Sequence, residues 1–146
     1  MRRDHFTLTA AHTDPSTDGV PTLVLRYTGP GGNLTARLES ETGQLPDGSD
    51  IDAAFRLQTP LEADDAGGVF SVSRRLTGEY VFEATAAAAD IFDVVRAARE
   101  AADEYSLRIE RPDGSPITMR LETLLVYDQS GELLRQQSLI PGGVEL

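Results

Sequence analysis

The sequence predicts an α+β fold: about eight short, mostly antiparallel strands in a curved sheet or two-sheet sandwich, with one main amphipathic helix packed on it. Three observations lead there. Only Asp90 to Asp103, DIFDVVRAAREAAD, places apolar residues at three-and-four spacing. Most other apolar stretches alternate with polar residues over five to eight positions, and clusters of Gly, Pro, Asp and Ser separate them at hairpin intervals. The main alternative is a β-sandwich in which the helix only plugs one end.

The elements follow in chain order. His5 to Thr9 alternates as a first strand, Asp14 to Gly19 is dense in turn formers, and Thr22 to Thr28 returns as a second strand, giving an opening hairpin. Gly29-Pro30-Gly31-Gly32 breaks the chain, after which Asn33 can cap a short helix with Leu34 and Leu38 four apart. Ile51 to Gln58 gives the cleanest alternation in the first half of the chain, with Ile51, Ala53, Phe55 and Leu57 toward a core and Asp52, Arg56 and Gln58 toward solvent. Pro60 ends that strand. Beyond the acidic loop from Leu61 to Gly68, Val69 to Arg75 pairs with Glu79 to Thr85 across Leu76-Thr77-Gly78 as a second hairpin.

In the helix, Ile91, Val94, Val95, Ala98, Ala101, Ala102 and then Tyr105 share one face, while Asp93, Arg96, Arg99, Glu100 and Asp103 take the other. Asp90 stands where an N-cap belongs, and Asp93 lies in the first turn, where a carboxylate suits the helix dipole. Arg96 with Glu100 and Arg99 with Asp103 are pairs four apart, each worth about 0.2–0.5 kcal/mol. Tyr105 to Glu110 alternates again, and Pro112-Asp113-Gly114 turns the chain into Ile117 to Tyr127. There Leu124-Leu125-Val126, apolar on both sides, predicts a central strand covered on both faces. Glu132 to Ile140 makes the last strand. In the tail, Leu139, Ile140, Val144 and Leu146 surround a Pro141-Gly142-Gly143 bend. Four aliphatic side chains are costly to leave in water, so the tail either folds back to close the core or docks on a partner or a second copy.

Composition excludes more chemistry than it suggests. A chain of 146 residues fits a single globular domain spanning 1–146, large enough to bury roughly 70% of its unfolded surface. There is no Cys, which removes disulfides, thiolate nucleophiles and Cys-based metal centres. All 13 basic residues are Arg; without Lys there is no Walker A lysine, Schiff base or lysine nucleophile. Against them stand 24 acidic residues, a formal charge of −11 and a pI near 4.5. Such self-repulsion is screened at about 1 M salt, where the Debye length is about 3 Å. An acid-rich, Lys-free chain fits a haloarchaeal cytoplasm. Its charge argues against a nucleic-acid partner, although less so at molar salt. No run of eighteen apolar residues suggests a membrane span, and Arg2-Arg3 is followed by no apolar signal core.

Each motif that could carry chemistry has a plainer reading. Asp14-x-Ser16-x-Asp18-Gly19 matches the first half of a calcium loop, but the twelfth position is Leu25 rather than Glu, so it reads as a solvated turn. His5 and His12, with Asp14 or Asp18, offer imidazole and carboxylate ligands that no pairing brings to one face. A Ser–His–Asp site would have to recruit one of these two histidines, and no Gly-x-Ser-x-Gly elbow exists. Neighbouring carboxylates such as Asp64-Asp65 follow from composition. Gly29-Pro30-Gly31-Gly32 reads as a turn, and Asn33-Leu34-Thr35 is a sequon that matters only in an exported chain. Arg74-Arg75 can grip an anion but more simply answers nearby acids. No catalytic, cofactor-binding or metal residue is assigned, and no cofactor is expected.

The segments RRDHFTLT, IDAAFRLQ, RAARE and LLVYDQSGELLRQQSLIPGGVEL resemble an uncharacterised haloarchaeal family, a domain of unknown function. The resemblance covers nearly the whole chain and implies its source and single-domain extent, but brings no activity or site. The expected function is therefore a non-catalytic binding or protein-interaction module of a halophilic cytoplasm. The alternatives are a small carboxylate- or metal-dependent enzyme and a small-ligand-binding domain.

Overall fold

The computed structural model describes residues 5–12, 20–29, 50–100, 103–111 and 115–140. Among them are eight strands in two mixed sheets and one α-helix, an α+β architecture that does not close into a barrel. The first sheet has the order β1-β2-β6-β7, from β1 (Phe6–Ala11), β2 (Thr22–Tyr27), β6 (Tyr105–Glu110) and β7 (Ile117–Leu121). The second has the order β5-β4-β3-β8, from β3 (Ile51–Leu57), β4 (Gly67–Arg74), β5 (Tyr80–Ala87) and β8 (Leu125–Tyr127). The three expected hairpins, β1–β2, β4–β5 and β6–β7, all form. Parallel pairing of β2 with β6 and of β3 with β8 joins segments far apart in sequence, which hairpin spacing does not reveal.

Alternation sets the inner faces. Leu8, Leu25, Ile109 and Ile117 stand in register across the first sheet, and all are buried. Phe55 lies between Phe70 and Val126 in the second, each fully buried. Along one side β1 runs beside β5, and the Phe6 and Phe82 rings stack with centroids 5.1 Å apart. A register shift between Val72 and Ser73 gives β5 one extra residue there, so consecutive Val81 and Phe82 are both buried while Tyr80 is left outside.

The helix α1 (Ala88–Glu100) buries Ala88, Ile91, Val94, Val95, Ala97 and Ala98 and touches strands of both sheets. Its apolar face is the expected one; its start is not. β5 runs directly into α1, so Asp90 lies within the first turn instead of capping it, and its carboxylate accepts a hydrogen bond from the backbone N–H of Ala10 on β1. On the outer face, Arg96 pairs with Asp93 at 3.5 Å, three residues back, rather than with Glu100. Arg99 leaves the helix surface and donates to the carbonyls of Arg135 and Ser138.

Two strand expectations fail near the C-terminus. Ile117 to Tyr127 is not one strand: β7 ends at Leu121, and the chain crosses to the other sheet through Glu122 and Thr123. Leu124 and Val126 are buried while Leu125 is half-buried, so β8 is an edge strand, not a central one. Glu132 to Ile140 forms no strand either. It touches β8 and the residue before it at isolated bridges, Tyr127 with Leu133 and Leu124 with Leu139, on either side of a 3-10 turn (Arg135–Gln137). Ser138 ties that turn down, its hydroxyl accepting from the N–H of Val126 at 2.9 Å and donating to the carbonyl of Leu134 at 2.8 Å. Leu139 is buried in the core. The short helix expected after Asn33, the turns at 13–19, 30–32 and 112–114, Ala101, Ala102 and the tail beyond Ile140 lie outside the described residues.

Candidate functional site

The outer face of the second sheet forms an open groove of about 470 Å³. Its floor is small because β4 turns Val69 and Ser71 outward between bulkier neighbours. Arg56 on β3 stands beside Val69, and Glu83 on β5 stands beside Ser71, so opposite charges flank the floor. Two strand spacings across the sheet and two residues along it separate their backbones, roughly 12 Å. Tyr80, 62% exposed, rises at one end and Gln129 at the other.

The far rim is built by the turn after β8. The Asp128 carboxylate accepts from the hydroxyl of Ser130 at 2.7 Å and from the N–H groups of Ser130 and Glu132 at 2.9 Å. These bonds hold its carboxyl below the usual carboxylate range, the Ser130 hydroxyl contributing most. The turn so fixed presents Gln129, whose carbonyl accepts from Arg56 at 3.0 Å and whose amide donates to the carbonyl of Gln58 at 3.3 Å. Arg56 is thereby held against the rim while remaining exposed. The groove offers a charge of each sign, hydroxyl and amide groups and a shallow floor, a chemistry suited to recognising an extended or flat polar surface.

The residues singled out from sequence do not gather here. His5 and His12 lie at opposite ends of β1, roughly 20 Å apart by strand rise. The His5 ring meets Tyr27 edge-on, centroids 6.3 Å apart. Asp64 and Asp65 are exposed in the loop between β3 and β4. Arg75 answers nearby groups as its plainer reading has it, donating to Asp52 at 3.0 Å and to the carbonyl of Ile51 at 3.2 Å. Asp14, Asp18 and Asn33 lie outside the described residues. Among the described residues no three His, Asp or Glu side chains group where they could hold a metal ion, and no helix is long and apolar enough to cross a membrane.

Sequence reasoning missed Val69, Ser71, Tyr80, Glu83 and Gln129. One signal was available: the outward positions of β4, Gly67, Val69, Ser71 and Ser73, are all small or medium in size, which leaves a hollow wherever the flanking strands carry long side chains.

No match was found among curated proteins or among solved structures. A family model described as "Family of unknown function (DUF5793)" matches residues 1–146, and the chain belongs to that family.

Proposed function

We propose that the chain is a non-catalytic binding module that docks a protein partner on the outer face of its second sheet, in the cytoplasm of a salt-loving archaeon. The groove floored by Val69 and Ser71 between Arg56 and Glu83 carries the reading. Its open shape favours a protein surface over an enclosed metabolite, because small-ligand sites bury most of their ligand. The acidic, Lys-free composition and charge of −11 support the habitat.

Affinity capture from native lysate in KCl at about 2 M, where exposed charges are screened, tests the reading. The wild-type chain retains a stoichiometric partner, Ser71→Arg loses it by filling the floor, and Thr9→Arg on the exposed face of the first sheet keeps it. Retention by Ser71→Arg at wild-type level would move the docking surface elsewhere.

A further inference from the structure

We infer that β7, the open edge of the first sheet, pairs with β7 of a second copy about a two-fold axis and joins the two first sheets into one; the inference is independent of the groove on the second sheet. Two sheets of four strands have four edges. β1 and β5 run beside each other on one side of the molecule, and the N–H of Ala10 on β1 is taken by Asp90. On the other side, the bridges of Leu124 with Leu139 and Tyr127 with Leu133 cover β8. β7 is the edge left open among the described residues. Which of its groups face outward follows from the ladder: the N–H of Ser106 donates to the Pro21 carbonyl, so Ser106 and Arg108 turn their backbones toward β2, and Tyr105, Leu107 and Ile109 turn theirs toward β7. Leu121, Met119 and Ile117 therefore exchange bonds with β6, and Thr118 and Arg120 point N–H and C=O away from the sheet. These outward groups have no hydrogen-bond partner among the described residues. Such an edge is a template for another strand.

The edge is complementary to itself. An antiparallel copy with Met119 on the axis sets Thr118 against Arg120 of the other copy; each such pair exchanges two backbone bonds, and the symmetry forms the pair twice. On the inner side Ile117 then meets Leu121 and Met119 meets Met119, so the buried row continues across the junction while Thr118 and Arg120 stay outside. Sliding the copy by two residues one way opposes two Arg120 side chains directly, and sliding it the other way sets Arg120 against Pro116, which has no N–H to donate. One register is favoured. Charge favours the same strand: in a chain of formal charge −11, β7 carries no carboxylate, and its Arg120 is paired with Glu104 at 2.6 Å. Two acidic molecules thus meet where neither presents net negative charge.

Sedimentation equilibrium of the full chain from about 10 to about 500 micromolar, in KCl at about 2 M, suits a pairing carried by backbone bonds over a short strand. Wild type shows a concentration-dependent dimer. Thr118→Pro removes an N–H that β6 does not use, so its melting temperature stays near that of wild type while the dimer weakens at least about tenfold. Register is read by cross-linking, free of background because the chain has no Cys. Thr118→Cys and Arg120→Cys copies, mixed and oxidised, form a disulfide between unlike copies, whose Cα atoms stand about 5.5 Å apart. Either variant alone forms none, since like positions lie roughly 9 Å apart. A wild type monomeric across the whole range would overturn the self-pairing, even if β7 took up a strand of a different protein. A folded Thr118→Pro that dimerises like wild type would overturn it too, as would a disulfide formed by either variant with itself or none in the mixture. Should Thr118→Pro fail to fold, the cross-linking decides alone.

Discussion

The guanidinium of Arg99, on the outer side of α1, donates to the carbonyl of Ser138 and, at 3.0 Å, to that of Arg135. One side chain thus ties the last turn of the helix to the 3-10 turn that carries Leu139 into the core. A charged donor shared between two carbonyls is worth more than an exposed pair along a helix. Arg99→Ala is expected to cost about 1–2 kcal/mol, whereas Arg96→Ala, which loses only an exposed contact with Asp93, costs under about 0.5 kcal/mol. Urea unfolding of both variants checks this; equal losses would mean that Arg99 contributes nothing as a latch.

Much of this was legible in the sequence, and the boundary has a physical cause. The inward residues of Ile51–Leu57 and the buried face of α1 follow from period alone, since one-sided burial forces alternation or a helical stripe. The pairing of β3 with β8 is not written in local pattern, because neither strand's alternation specifies its neighbour. The unbroken apolar run Leu124-Leu125-Val126 misleads in its own way: an edge strand bridged by the segment that carries Leu133 and Leu139 buries Leu124 and Val126 while leaving Leu125 half-buried. The groove escaped for a related reason. It arises from outward residues on three strands, and only the register brings Arg56, Ser71 and Glu83 together.

Val95 is buried against the sheets, 2% exposed. Val95→Asp places an unpaired carboxylate in the core and is expected to cost several kcal/mol, on the order of 3–5, or to prevent folding. Circular dichroism during thermal melting distinguishes this from a surface change. A melting temperature within a few degrees of wild type would mean that this face of α1 is not held in the core.

Burial raises the carboxyl of Asp90 above its ordinary value, with the nearby Asp93 charge adding to the effect and the Ala10 N–H opposing it. The folded protein therefore holds this proton more tightly than the unfolded chain does. Asp90 thus costs stability as pH rises through the interval between its unfolded and folded values, and the cost persists at neutral pH. Asp90→Asn keeps an oxygen for Ala10 and removes the charge. Its melting temperature should exceed that of wild type at pH about 7 and converge with it below about pH 4. A lower melting temperature at neutral pH would show that the helix dipole and the Ala10 bond outweigh burial.

With a formal charge of −11, the folded chain repels itself in dilute buffer. Raising KCl from about 0.1 M to about 2 M shortens the screening length several-fold, so the melting temperature should climb across that range. An unchanged melting temperature would remove the salt-adapted habitat from the proposal without touching the groove.

Gly68 links the fold to the groove. It sits on β4 opposite Leu57, and a Cβ added there would lie 2.8 Å from the carbonyl carbon of Arg56 and 2.9 Å from the Cα of Leu57. Both are backbone atoms, so neither can swing aside as a side chain would; β3 itself would have to move away from β4. Gly67, one residue earlier, faces the other way, and a Cβ there would meet the Ala86 carbonyl oxygen at 3.2 Å, a contact that a shift of a few tenths of an ångström relieves. Gly68→Ala is therefore expected to destabilise the fold by about 3 kcal/mol or more, and Gly67→Ala by less than half as much. Because Arg56 rides on the displaced strand, Gly68→Ala should also weaken whatever the groove binds under conditions where the variant remains folded. Denaturant titration of the pair, followed by binding measured on the folded fraction, separates the two effects; similar stability for both variants would mean that β3 and β4 do not approach as closely here as the register at Leu57 and Gly68 requires.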